Sequence, residues 1–127
     1  MPKHVAVGWF PEGELEKALA LWPGLVATWN VRTYADYCRG VDAHLRALEL
    51  EPGTSVVLAP IEVKYFLRWC SKEGLDPAEP ASRSRYATTI ATRGRTRKWP
   101  PDAHKGCWCG RDESYADCCG RAAASGI

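Results

Sequence analysis

The sequence predicts a small α+β domain, mostly helical with two or three short strands, followed by a C-terminal metal-binding knuckle. Three observations carry this. Apolar residues recur at helical spacing in four segments of the chain. Two short apolar, β-branched runs, at residues 4–10 and 55–59, have the length of buried strands. Four of the six cysteines, Cys107, Cys109, Cys118 and Cys119, crowd into the C-terminal end. With 127 residues in all, there is room for one small core and an appendage, and for no second full-sized core.

In chain order, His4 to Phe10 reads as a strand ended by Pro11. Glu12 to Trp22 reads as a helix: Leu15, Leu19 and Trp22 share a face, and Glu12, Glu14 and Glu16 sit where the helix dipole favours acids. Pro23-Gly24 stops it. Leu25 to Val31 fits either a strand or a short helix. Thr33 to Leu50 is the clearest helix. Thr33 is a natural N-cap with Asp36 three residues on, and Tyr34, Tyr37, Val41, Leu45 and Leu48 form one stripe. Glu51-Pro52-Gly53 is a turn before the strand Ser55–Ala59. Pro60 is placed to open the next helix, in which Val63, Phe66, Leu67 and Cys70 line one face and Gly74 closes the end. A last helix runs from about Pro80 to Thr92, with Tyr86, Ala87, Ile90 and Ala91 inward and Gly94 as terminator. These elements predict a body over 1–92, a basic, proline-containing linker over 93–105, a knuckle over 106–120 and a flexible tail over 121–127.

The net charge of +2 averages unlike blocks. Residues 1–82 carry 8 Lys/Arg against 11 Asp/Glu, and residues 83–105 carry 7 against 1. The basic block makes Arg83, Arg85, Arg93, Arg95, Arg97 and Lys98 candidate phosphate ligands, with Trp99 or Tyr86 as a platform for a base. No apolar run reaches the roughly 18 residues of a membrane span, and the start lacks the apolar stretch of a signal peptide. The expectation is a cytoplasmic protein with no membrane contact.

The chemistry sits in Cys107-Trp-Cys109, eight residues, then Cys118-Cys119. Thiolates suit Zn²⁺, which takes four of them in a tetrahedron at about 2.3 Å. The intervening residues are long enough to fold the second pair back over the first. Four sulfur ligands fill the shell, leaving no open position for water or substrate, so the expected role is one structural zinc rather than catalysis. A segment this short has no core of its own, and the metal would supply its folding energy. His104, three residues before Cys107, is a weaker competitor as ligand. Trp108, between two ligands, is expected to point away from the metal and pack the knuckle onto the body or a partner. Cys38 and Cys70, on apolar helix faces, read as buried core thiols. His44 lies about 240° around the helix from Cys38, so the two form no local catalytic pair. No Ser-His-Asp order, phosphate-binding glycine loop or His-Glu-x-x-His element is present.

Cys-x-Cys, eight residues, Cys-Cys, with Gly110 after the second cysteine, Tyr115 in the spacer and Gly120 after the last, resembles the SEC-C zinc motif. That motif is named for the C-terminal tail of the preprotein translocase ATPase. More softly, Leu75-Asp76-Pro77, Arg83-x-Arg85-Tyr86-Ala87, Gly94 and Trp99-Pro100-Pro101 resemble small actinobacterial proteins that carry this motif. The resemblance implies Cys107, Cys109, Cys118 and Cys119 as zinc ligands and a bacterial source, together with a protein-docking role for the knuckle. The spacer departs from the motif: Gly110-Arg-Asp-Glu-Ser-Tyr-Ala-Asp117 holds three acids and one base where lysines are usual, and so lacks the basic face that goes with the translocase tail's chaperone and ribosome contacts. The leading expectation is a non-catalytic zinc-binding adaptor or accessory protein that docks a protein partner. The alternative is nucleic-acid or ribosome association through residues 83–105, and the third is an enzyme with an unrecognised site in the body.

Overall fold

The computed structural model describes residues 3–25, 31–110 and 112–120. The ambiguous stretch Leu25–Val31, apart from its two ends, and the tail over 121–127 lie outside the described residues.

Two parallel strands form the centre. Strand β1 (Lys3–Trp9) pairs with β2 (Thr54–Pro60) in continuous register from Lys3 opposite Thr54 to Trp9 opposite Pro60. Parallel neighbours need a long crossover, and here it contains two helices, α1 (Glu14–Leu21) and α2 (Tyr34–Glu49). Helices α3 (Val63–Glu73) and α4 (Pro80–Thr92) follow β2. The chain then returns to the sheet as β3 (Arg97–Lys98), antiparallel to β2, giving the order β1-β2-β3. The fold is therefore α+β, as the periodicities predict.

The helix signals resolve as physical contacts. Thr33 accepts from Asp36 N–H at 3.1 Å while the Asp36 carboxylate accepts from Thr33 N–H at 3.2 Å, a complete capping box. Gly74, in the left-handed region, ends α3. Pro60 behaves otherwise than expected: it is the last residue of β2, and the ladder runs one step further, through Ile61 N–H to Trp9 C=O at 2.8 Å. Helix α3 starts at Val63 instead, and its first N–H donates to Glu14 Oε1 of α1 at 2.8 Å.

The core is built from Trp9, Phe10, Leu15, Val41, Leu45, Val56, Leu58, Ile61, Phe66, Ala87 and Ile90, all buried. At Gly8 a Cβ would stand 2.5 Å from Ile61 Cδ1, so the absent side chain is what lets Ile61 and Ala87 close over β1. The buried hydrogen bond from Phe10 N–H to the Tyr37 hydroxyl, 2.9 Å, ties the end of β1 to α2. The basic stretch after α4 belongs to the same body: Arg97 and Lys98 form β3, and Trp99 is buried.

A candidate metal centre clamped to the domain

The cysteine segment folds on its own backbone bonds. Gly106 and Ser114 form an antiparallel bridge, with Cys107 N–H on Glu113 C=O at 2.9 Å and Tyr115 N–H on Lys105 C=O at 2.8 Å. Gly110, at φ 91°, makes the left-handed turn that follows Cys109. A single 3-10 turn, Tyr115–Asp117, capped by Ser114, then delivers Cys118 and Cys119.

The result is four buried thiols, Cys107, Cys109, Cys118 and Cys119, whose sulfur atoms all lie within 4.8 Å of one another. Cys109 Sγ and Cys118 Sγ are 3.5 Å apart. A disulfide needs about 2.05 Å, whereas four thiolates at about 2.3 Å from a tetrahedral centre stand about 3.8 Å apart. The spacing fits a shared metal ion. Hydrogen bonding to Cys109 and Cys119, followed by burial, pushes the Cys107 thiol up from its ordinary range. Cys119 is held down by Cys107 but raised on balance by Cys109, Cys38 and burial. Thiols packed this way resist ionising against one another, and a bound cation reverses that balance by favouring the thiolates. His104 is exposed and stands outside this group.

A fifth sulfur faces the group. Cys38, on α2, is buried as expected, but its thiol interacts electrostatically with those of Cys109 and Cys119 and with the Tyr34 hydroxyl. The interaction with Cys109 is the largest cause pushing the Cys38 thiol up to about 12, opposed by Cys119 and helped by burial. Cys70 lies buried on α3, its thiol raised by burial and by Asp76.

What fixes the knuckle to the body is a buried carboxylate. Asp42 of α2 has 0% exposure, and its Oδ1 accepts from Trp99 Nε1 at 2.8 Å, Trp108 Nε1 at 3.0 Å and the Tyr115 hydroxyl at 3.0 Å. Arg46, one turn on, forms an ion pair with Asp42 Oδ2 and donates to Cys119 C=O at 3.3 Å. Tyr34 donates to Cys109 C=O at 3.0 Å, and Arg97 to Trp108 C=O at 2.7 Å. The Trp108 ring meets Trp9 edge-on at 5.5 Å, and the Arg97 guanidinium lies over Trp9 at 5.4 Å. Trp108 thus points into the body.

The basic block does not form one face. Trp99 is buried against Asp42 and Tyr86 is buried in the core, so neither ring is open to a base; this corrects their candidacy as stacking platforms. Arg97 is engaged by Trp108 and Trp9. Arg83 is half-buried in a cavity of about 370 Å³ beside Val5, Val7 and His44. Arg85 and Lys98 are exposed, and Arg93 and Arg95 line a separate cleft with Arg68 and Lys72 of α3. The sequence reading missed Asp42, Arg46 and the contacts of Cys38. The signal for Asp42 was a carboxylate on a helix face shared with Cys38 and Leu45, in a chain rich in indole N–H groups that need acceptors when buried.

Among the described residues no helix is long and apolar enough to cross a membrane. No curated protein and no solved structure matches the chain. A family described as a domain of unknown function, DUF8829, matches residues 25–101. That span holds α2 with Cys38, Asp42 and Arg46, and ends at Pro101 after Trp99, so it contains the platform on which the cysteine knuckle rests. With more than half of its 127 residues matched, the chain belongs to this family.

Proposed function

We propose that the protein is a non-catalytic binding protein whose four cysteines hold one structural Zn²⁺ in a knuckle of the SEC-C type. The observation that carries this is the cluster of four buried sulfur atoms within 4.8 Å of one another. A full set of sulfur donors favours zinc over the oxygen-preferring Mg²⁺ and Ca²⁺, and a filled shell has no site for a substrate. The indole of Trp108, between two ligands, is spent on Asp42 and Trp9. The metal therefore serves first to complete the fold, and binding of partners falls to the surface of the body.

Metal analysis of purified protein tests this: about one zinc per chain, lost in Cys107→Ser or Cys118→Ser, is the expected outcome. Reduced, folded protein free of metal would overturn it.

A further inference from the structure

A cleft of about 560 Å³ lies between α3 and the end of α4 and shares no residue with the thiol group. Its walls carry Arg68 and Lys72 from α3 and Arg93 and Arg95 from just beyond α4, against one lining carboxylate, Glu62. The ion pairs among the described residues involve other cations: Lys17, Arg39, Arg46 and Lys105. Four cations lining one cavity repel one another and raise the local concentration of anions. In a chain whose net charge is only +2, this is a marked local concentration of positive charge.

The same cleft carries open aromatic surface. Tyr65 is 48% exposed, with Lys64 Nζ 5.6 Å and the Arg68 guanidinium 6.0 Å from its ring centre. Trp69 is half-buried and is braced by Tyr86, ring centres 5.2 Å apart. Cations beside a solvent-facing ring supply the two interactions a nucleotide needs: charge for the phosphate and a π face for the base. The volume falls within the range of about 300–1,000 Å³ usual for small-ligand sites.

We propose that this cleft binds the base-and-phosphate unit of a nucleotide, free or within a single strand, with Arg68, Lys72, Arg93 and Arg95 on phosphate and Tyr65 or Trp69 against the base. The site differs from the contiguous basic segment of the sequence. Half of its cations come from α3, in a region that is acidic on average, and Arg97 and Trp99 are excluded by their internal contacts.

The test is fluorescence anisotropy of full-length, metal-bearing protein with dye-labelled oligo-U and oligo-dT of about twelve nucleotides. Binding is expected to weaken between about 50 and about 200 mM salt, with a log–log slope of about −0.7 per phosphate contacted. The pairs Arg68→Glu with Lys72→Glu and Arg93→Glu with Arg95→Glu should each weaken binding at least about tenfold and flatten that slope. Tyr65→Ala should weaken it about fivefold or more at unchanged slope. Arg85→Glu, basic and exposed but outside the cleft, should leave it unchanged. Displacement by uridine monophosphate identifies a free nucleotide as sufficient; displacement only by a longer strand identifies a strand ligand. Pyrophosphate displacing as well as the nucleotide would overturn the base contact, and equal loss in Arg85→Glu would overturn the cleft. Absence of binding by oligonucleotide and nucleotide alike at low salt would overturn the whole assignment. Metal content of the same samples separates the two readings: zinc present without binding fails only the cleft, and binding without zinc fails only the knuckle.

Discussion

At the scale of single residues, Asp42 is the most constrained position. Three neutral donors and one guanidinium converge on a carboxylate with no solvent access, and they come from Trp99, Trp108, Tyr115 and Arg46. Asp42→Ala would strand two indole N–H groups and a phenol in the core and leave Arg46 without its ion-pair partner. Losing one member of a buried charged network costs about 3–5 kcal/mol, so this variant should unfold at markedly lower denaturant than wild type, read by tryptophan fluorescence. Cys38 makes a subtler contribution. Its thiol interacts with Cys109 and Cys119, groups that would ligate the metal, and loss of such outer partners typically lowers metal affinity about 10- to 100-fold. Cys38→Ala is expected to keep a stoichiometry of one zinc while giving it up to a competing chelator at a correspondingly lower concentration. Neither residue's role was legible in sequence. Cys38 shares a helix face with apolar neighbours, which marks it as buried but says nothing of a sulfur cluster that begins only at Cys107. Asp42 reads locally as one half of an i,i+4 pair with Arg46.

At the scale of elements, most boundaries followed from local chemistry: the capping box at Thr33, Gly74 after α3, and Pro80 at the start of α4. The misses are where tertiary pairing decides. Pro60 carries a helix-start signal, yet the register with β1 keeps it in the sheet through Trp9. The two-residue strand Arg97–Lys98 has no apolar pattern and exists because the open edge of β2 accepts it. Helix α3 likewise lacks a side-chain cap of its own and borrows Glu14 from α1. Burial works to raise the Glu14 pKa, but the Val63 N–H and Lys17 outweigh it and hold it below the ordinary value of 4.5. A carboxylate with a depressed folded pKa contributes stability that is fully present above its unfolded pKa and is lost as pH falls through the folded value. Glu14→Gln should therefore cost about 0.5–1 kcal/mol at neutral pH. The gap between variant and wild type should close as pH drops below about 4, measured as paired urea titrations across that range.

At the scale of the whole molecule, the knuckle is packed against the domain through contacts centred on Asp42. The clustering of the four cysteines was legible in sequence, because their spacing is a local property. Their attachment was not, since Asp42, Trp9 and Tyr34 reach the knuckle from α2 and β1 across long sequence separations. That attachment changes what metal removal should do. A knuckle hung on a linker would melt alone and leave the body's transition untouched. Here Trp108 and Tyr115 share Asp42 with Trp99 of the body, so releasing the cysteines also opens the indole and phenol positions around that carboxylate. A metal present at about 1,000 times its Kd stabilises the folded state by about 4 kcal/mol. At about 4 °C per kcal/mol for a chain of this length, stripping it should lower Tm by about 15 °C. Calorimetry of holo and chelator-treated protein under reducing conditions should show one transition in each, the second shifted down, with tryptophan fluorescence following the same curve. An unshifted main transition, with only a small separate event lost on chelation, would mean the knuckle and the domain fold independently.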